Sequence, residues 1–315
     1  MGRPASIGHG FCSYLSARLD FQSYRREPFE ALAEAAASRN TPPWTIMALF
    51  SEEELVKSAG GIVNEDHYWE RVRIGYDRMK QSSAVVAGLA RNLGDGVHSL
   101  RTHVSAVAEL FANCAIVLYE NDSNDGTAQK LREWASLDPA VHVISEELGR
   151  PFWGSTGHFE RTQDMADYRN RCLSYVKREY SHFDYLILVD TDLRGGWSLN
   201  GIANSFGFDN WDFVGSVGMR RTSETYWYHY DAWAFRSYGE WGITDFQAFF
   251  QWLPRLGEAL IPVYSCFGGL GIYQMSAVAD CSYQAGDCEH VSLHQAMHSN
   301  GRGRLFMNPS QITVS

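Results

Sequence analysis

The 315-residue chain holds six cysteines, Cys12, Cys114, Cys172, Cys266, Cys281 and Cys288, and no two stand in a CxxC spacing. That removes zinc-ribbon and thioredoxin-like readings. Six cysteines scattered over this length are also too sparse for a disulfide framework, so a reduced, intracellular protein is expected. Basic residues are short: 27 Lys and Arg stand against 37 Asp and Glu, a net charge of −10. Attraction to a phosphate backbone needs clustered Lys and Arg, so a nucleic-acid polymer is not an expected partner, although a local basic pocket for a nucleotide stays open. No uncharged apolar run approaches the ~20 residues of a membrane-spanning helix. Met1 to Gln22 carries polar and charged residues throughout, without the apolar centre of a signal peptide. The expectation is therefore no transmembrane segment and a cytoplasmic location.

What the chain does have is a globular composition, 45% hydrophobic and 20% charged, which excludes wholesale disorder. Aromatics are plentiful at 14%, enough for a large core or for surfaces that stack on bases and sugar rings. Residues 1–80 read as a mostly helical extension. Pro28 to Ser38 and Ser51 to Ser58 have helix-start chemistry, with Pro42-Pro43 breaking the chain between them. From 81 to 315 strand and helix signals alternate. Ala84–Ala90, Ala115–Tyr119, Val141–Ile144 and Tyr185–Val189 are short apolar runs suited to buried strands. Helical stretches lie from about Gly96 to Phe111, over Thr127–Trp134 and over Thr162–Arg178. Such alternation predicts βαβ units, an α/β fold with a mostly parallel sheet flanked by helices. Ligands in such sheets bind beyond the carboxyl ends of the strands.

The chemistry-bearing residues stand at those ends. The first strand runs into Arg91. The second runs into Glu120-Asn121-Asp122, where a carboxylate is placed to accept hydrogen bonds from a nucleotide, or simply to cap the next helix. The strongest local signal is Leu186-Ile187-Leu188-Val189-Asp190-Thr191-Asp192. Two carboxylates two residues apart can share one divalent cation, Mn²⁺ or Mg²⁺, which prefers oxygen ligands and substrate phosphates. Arg169, followed by Asn170, is the candidate cation for a diphosphate. Gly149 to His158 reads as a lid over a ligand. Asp231 sits in an aromatic run, where a charge needs a partner or a task. Gly268-Gly269 lets a backbone approach a ligand closely. Glu289 opens a helix, either as a dipole-favoured first-turn acid or as a catalytic one. His290 and His294 are supplementary candidates for metal or phosphate.

Taken in order, YENDSNDGT, MADYRN, LILVDTDL, YHYDAWAFR, CFGGLGIY and CEHVSLHQAM resemble the GT-A glycosyltransferases, specifically the cryptococcal α-1,3-mannosyltransferase-like group (glycosyltransferase family 69-like). The resemblance runs from about Ser82 to Pro309. It implies a nucleotide-sugar donor at the carboxyl edge of a Rossmann-like sheet, with Mn²⁺ or Mg²⁺ held on the diphosphate by Asp190 and Asp192. It further implies nucleotide contacts from Glu120, Asp122 and Arg169, a catalytic carboxylate at Glu289, and a donor of the mannose type. The acceptor is a glycan or another hydroxyl compound. Two other functions fit parts of the pattern: a metal-dependent nucleotidyltransferase acting on sugar phosphates, which would need a triphosphate loop near Arg91-Asn92-Leu93-Gly94, and a non-catalytic carbohydrate-binding protein.

Overall fold

The structure, a computed structural model, describes residues 61–154, 157–221, 227–243, 252 and 254–315. The helices expected over Pro28–Ser38 and Ser51–Ser58 lie outside the described residues. Four apolar segments form parallel strands: β1 (Ser83–Ala90), β2 (Asn113–Asn121), β3 (Val141–Glu146) and β4 (Tyr185–Asp190). Their order is β3-β2-β1-β4, and Val85, Val86, Val117, Leu118, Leu186 and Ile187 are essentially inaccessible. This doubly covered, Val- and Leu-rich interior explains why the runs read as continuous rather than alternating. Helices α2 (Gly96–Ala108), α3 (Thr127–Leu137) and α4 (Phe159–Tyr180) supply the crossovers. Thus the α/β sheet flanked by helices is present, with element boundaries within a few residues of those expected.

Beyond β4 the sheet becomes mixed. After β5 (Gly196–Trp197), α5 (Leu199–Phe206), β6 (Phe213–Arg221), β7 (Trp227–His229), β8 (Arg236–Ser237) and β9 (Ile261–Ser265), strand β10 (Leu270–Gln274) inserts antiparallel between β4 and β6. After the short α6 (Met275–Val278) and α7 (Glu289–Ser299), β11 (Leu305–Val314) closes the far side against β6 and β9. The register places Asp190 beside Leu89 and Leu270 beside Val189. The carboxyl ends of β1, β2 and β4 therefore meet the turn before β10 along one edge.

The described part of the 1–80 segment is joined to this body. Helix α1 (Glu65–Met79) lies against α5, with Tyr76 donating to Asn200 Oδ1 at 2.8 Å and Arg78 to the carbonyls of Phe206 and Phe208. Glycine makes the close approach feasible: a Cβ on Gly75 would stand 1.7 Å from the Ala203 carbonyl oxygen. On the opposite side of α5, a Cβ on Gly201 would stand 2.1 Å from the Ser310 carbonyl oxygen on β11. Both obstacles are backbone and cannot swing aside. We expect Gly201→Ala to cost about 2 kcal/mol through overpacking, whereas Gly96→Ala, with its nearest neighbour at 3.9 Å, should stay within about 0.5 kcal/mol of the parent. Urea unfolding of both variants checks the pair, and equal midpoints would contradict the packing account.

Candidate functional site

Helix α4 turns its buried face, with Cys172, Leu173 and Val176, toward the sheet. The same face carries Arg169, which is 8% exposed at the side chain and lies under the strand edge. Its Nε donates to Glu289 Oε1 at 2.7 Å, and Nη2 approaches Asp190 Oδ1 at 3.4 Å. The guanidinium also stands over the rings of Phe267 and Tyr283, at 5.5 and 5.9 Å. Its neighbour Asn170 exchanges two hydrogen bonds with the backbone of Tyr283, both 2.9 Å, pinning the loop that leads into α7. Arg169, Asp190 and Glu289, expected separately, are therefore brought together.

Asp190 keeps 27% of its side chain accessible, and Asp192 beyond it is exposed. Between them Thr191 turns inward, its hydroxyl donating to the Leu89 carbonyl at 2.5 Å. Desolvation pushes the Asp190 carboxyl up to about 7; Arg169 works against the rise, and Asp192 and Glu289 add to it. Asp231 joins the group from the turn after β7. Desolvation and the nearby Asp190 raise its carboxyl to about 8. Its backbone is left-handed, φ 64°, as it is at Asn64, Asn92, Asp122 and Asn210, a conformation that Asp and Asn tolerate better than other non-glycine residues. Asp231 Oδ2 accepts from the Gly268 amide at 3.0 Å, and the Gly269 carbonyl accepts from the Asp190 amide at 2.8 Å. The two glycines, expected to face a ligand, thus bridge the two aspartates. Both have positive φ, and a Cβ on Gly269 would stand 1.9 Å from the Tyr230 hydroxyl.

Sequence reasoning missed what holds this turn in place. Arg236 is fully buried, and all of its donors are engaged. Nε and Nη1 reach the carbonyls of Trp241, Trp233 and Phe235 at 2.8–2.9 Å, and Nη2 binds both oxygens of Asp287 at 2.8 Å. Asp287 in turn accepts from the Cys288 amide at 2.7 Å, one residue before Glu289. The turn bearing Asp231 and the start of α7 are tied by one guanidinium. From the other side, Thr313 of β11 donates to the Gly268 carbonyl. The only sequence signal for Arg236 was a charge amid aromatics, as for Asp231.

Several residues expected at the donor or the metal are engaged within the protein. Asp122, assigned to the nucleotide, accepts from the amides of Leu148, Gly149 and Arg150 at 2.7–3.2 Å and from Asn121 Nδ2 at 2.9 Å. Burial raises its carboxyl, but these donors more than offset that and hold it below the usual range. Glu120 is 1% exposed, with its oxygens taken by the Ser123 amide and the Ser145 hydroxyl. Arg91 donates to the carbonyls of Arg150 and Pro151 at 2.7 and 2.9 Å. Asp122 and Arg91 fasten the root of the loop expected as a lid, Glu120 ties the turn after β2 to β3, and Arg150 and Trp153 anchor the loop further through Asp164 and Asp167; residues 155–156 lie outside the described residues. His294 does not stand ready for a metal. It is fully buried, hydrogen-bonded to Ser265 and Tyr273 at 2.8 and 3.1 Å, and burial pushes it down to about 3. His290 stacks on Phe267, 3.7 Å between centroids, and burial keeps it far below its ordinary value. Among the described residues no three His, Cys, Asp or Glu side chains form a preassembled metal cage. Asp190 and Asp192 remain as oxygen ligands that would share a cation with waters or substrate, the arrangement Mg²⁺ and Mn²⁺ favour.

No family model matches the chain, and no curated protein matches it. Solved structures do. A mannosyltransferase from Pyrobaculum calidifontis, in complex with GDP-Man and Mn²⁺, is 11% identical with a TM-score of 0.44, over 91% of this chain and 68% of that one. TarS of S. aureus, in complex with UDP-GlcNAc, is 12% identical with a TM-score of 0.44, over 74% of this chain and 58% of that one. Mannosyl-3-phosphoglycerate synthase from Rubrobacter xylanophilus is 16% identical with a TM-score of 0.43, over 82% and 75%. The chain spans less than two thirds of the length of TarS. Likeness at this level leaves activity to be argued from the geometry of the site.

Two outcomes test that geometry. Arg169→Met leaves Glu289 buried without its cation and should cost about 3–5 kcal/mol, while Asp192→Asn on the exposed neighbour should stay within about 0.5 kcal/mol; thermal and urea unfolding would separate them. Asp122→Ala removes the acceptor for three loop amides and should speed chymotrypsin cleavage after Phe152 or Trp153 several-fold. Unchanged cleavage would mean that Asp122 does not hold the loop.

Proposed function

We propose that the chain is a metal-dependent glycosyltransferase of the GT-A type, moving a hexose from a UDP- or GDP-linked donor to a hydroxyl acceptor. A mannose-type donor is the first to test. One observation carries this reading. Asp190, Arg169, Glu289 and Asp231, drawn from four separate chain segments, converge where a strand edge of an α/β sheet places its ligands. With Asp192, four carboxylates gather there, and two of them, Asp190 and Glu289, contact the one guanidinium of Arg169. A cation bound by Asp190 and Asp192 would offset their repulsion and neutralise charge on the leaving diphosphate.

The chain's own residues then have distinct tasks. Arg169 holds Glu289 and Asp190 in place and adds positive charge beneath the leaving group. In the transfer, the bond from the anomeric carbon to the phosphate oxygen breaks, and the acceptor oxygen bonds to that carbon. The acceptor's proton passes to a carboxylate. Asp231 suits this role better than Glu289. Asp231 is only partly buried, and desolvation and the neighbouring Asp190 raise its carboxyl above the usual range, which strengthens it as a proton acceptor once ionised. Glu289 is 4% exposed and its Oε1 is taken by Arg169, which favours a structural and electrostatic role.

The nucleotidyltransferase alternative needs free amides near Gly94. There the amides of Leu93 and Gly94 both donate to the Thr127 hydroxyl, at 2.8 and 3.0 Å, and Arg91 is engaged with carbonyls, so the phosphate cradle is absent from that described turn. Among the described residues no helix is long and apolar enough to cross a membrane; a cytoplasmic location remains part of the proposal.

The test is release of nucleoside diphosphate from UDP- and GDP-sugars, with Mn²⁺ and with chelator. Turnover should require the metal. Asp190→Asn should lower it at least about 100-fold and Asp231→Asn about 10²–10⁴-fold, with little change in donor KM for the latter. An Asp231→Asn enzyme with full turnover would remove the proton-acceptor role, and no donor turnover with any divalent metal would remove the transferase reading.

A further inference from the structure

Among the guanidiniums around the site, Arg91, Arg150, Arg169, Arg171 and Arg236 each bind carboxylates or carbonyls of the protein. Arg161, in the first turn of α4, differs. Its guanidinium stands 5.5 Å from the ring centre of Trp233, and its Nη1 is shut off from water without any hydrogen-bond partner. A desolvated, unpaired guanidinium donor is costly and is the kind of group a bound anion satisfies. Trp233 follows Asp231 by two residues in the 3₁₀ turn Ala232–Ala234, and Arg236 fixes the Trp233 carbonyl. The indole, with the unpaired donor beside it, therefore stands within one short turn, in sequence, of the proposed proton acceptor, and Arg161 makes no ion pair with Asp190 or Asp192.

We propose that Trp233 and Arg161 form an acceptor subsite, in which a sugar ring packs on the indole and Arg161 takes an anionic substituent, a carboxylate or a phosphate ester, on that acceptor. This rests on the transferase reading and narrows it: the acceptor is a charged sugar rather than a neutral one. An aromatic face suits the apolar side of a sugar ring, and the fork of Arg suits either oxyanion. Pairing with the guanidinium also neutralises an anionic acceptor that the carboxylates of the acidic cluster would otherwise repel.

Calorimetric titration of the whole chain with glucose, glucuronic acid and glucose 6-phosphate, without donor, tests the subsite directly; the last two distinguish carboxylate from phosphate. At least one anionic sugar should bind ten-fold or more tighter than glucose. That preference should collapse toward one in Arg161→Gln and return in part in Arg161→Lys, which keeps the charge and guards against misfolding. A second measurement, transfer from the active donor, should show the same ten-fold preference in kcat/KM and the same collapse. No preference in the parent chain, or an equal preference in Arg161→Gln, overturns the proposal. Donor turnover without any anionic preference would sink the subsite alone, whereas anion binding that depends on Arg161 without donor turnover would sink the transferase reading and leave the subsite.

Discussion

A single guanidinium lets the acidic edge of this sheet exist. Asp190 and Glu289 reach the same place from strand β4 and helix α7, and in a desolvated setting two carboxylates so close would not both stay charged. Arg169, delivered by the buried face of α4, stands between them. A buried ion pair contributes little net stability over a well-packed apolar pair, but losing one partner is severe. The arrangement is better understood as a positional device than as a stabilising one. It sets where the two acids lie and leaves the cluster short of positive charge, which is the condition under which a divalent ion and a diphosphate find a place.

The stretch from β1 to β4 was legible because β1, β2 and β4 are buried on both faces, so their apolar runs stand out even though α2, α3 and α4 lack side-chain N-caps. Asp190 and Asp192 stood out as two carboxylates two residues apart at the end of a buried strand. The second half of the chain was not legible in this way. Strand β11 contains Asn308, Pro309, Ser310 and Gln311, which read as a polar turn, yet these residues are sealed in the core. The reason is a side-chain network: Asn308 donates to Asn204 and Ser205, and Gln311 to Ser216, while Ser205 donates to Gln311. Polarity argues for exposure only when partners are missing, and the partners lie a hundred residues away.

The candidate site was only partly legible for a related reason. Arg169, Asp190 and Asp231, which the structure brings together, stood out because charge in an apolar context is informative. Glu120, Asp122 and Arg91 were expected at the nucleotide, and their engagement within the protein went unseen because a strand-end carboxylate that binds a nucleotide and one that binds its own loop look the same in one dimension. What separates them is the count of backbone amides within reach, and Asp122 meets three. Likewise nothing local marked His294 as a core histidine between Ser265 and Tyr273.

Arg236 has a consequence for how this molecule tolerates change. By gripping three carbonyls around the Asp231 turn and both oxygens of Asp287, it makes two distant stretches of chain a single mutational unit. Substitutions on the two sides should not combine additively, so drift in one stretch is tolerated only with a matching shift in the other. Lineages that vary here would be expected to change both together.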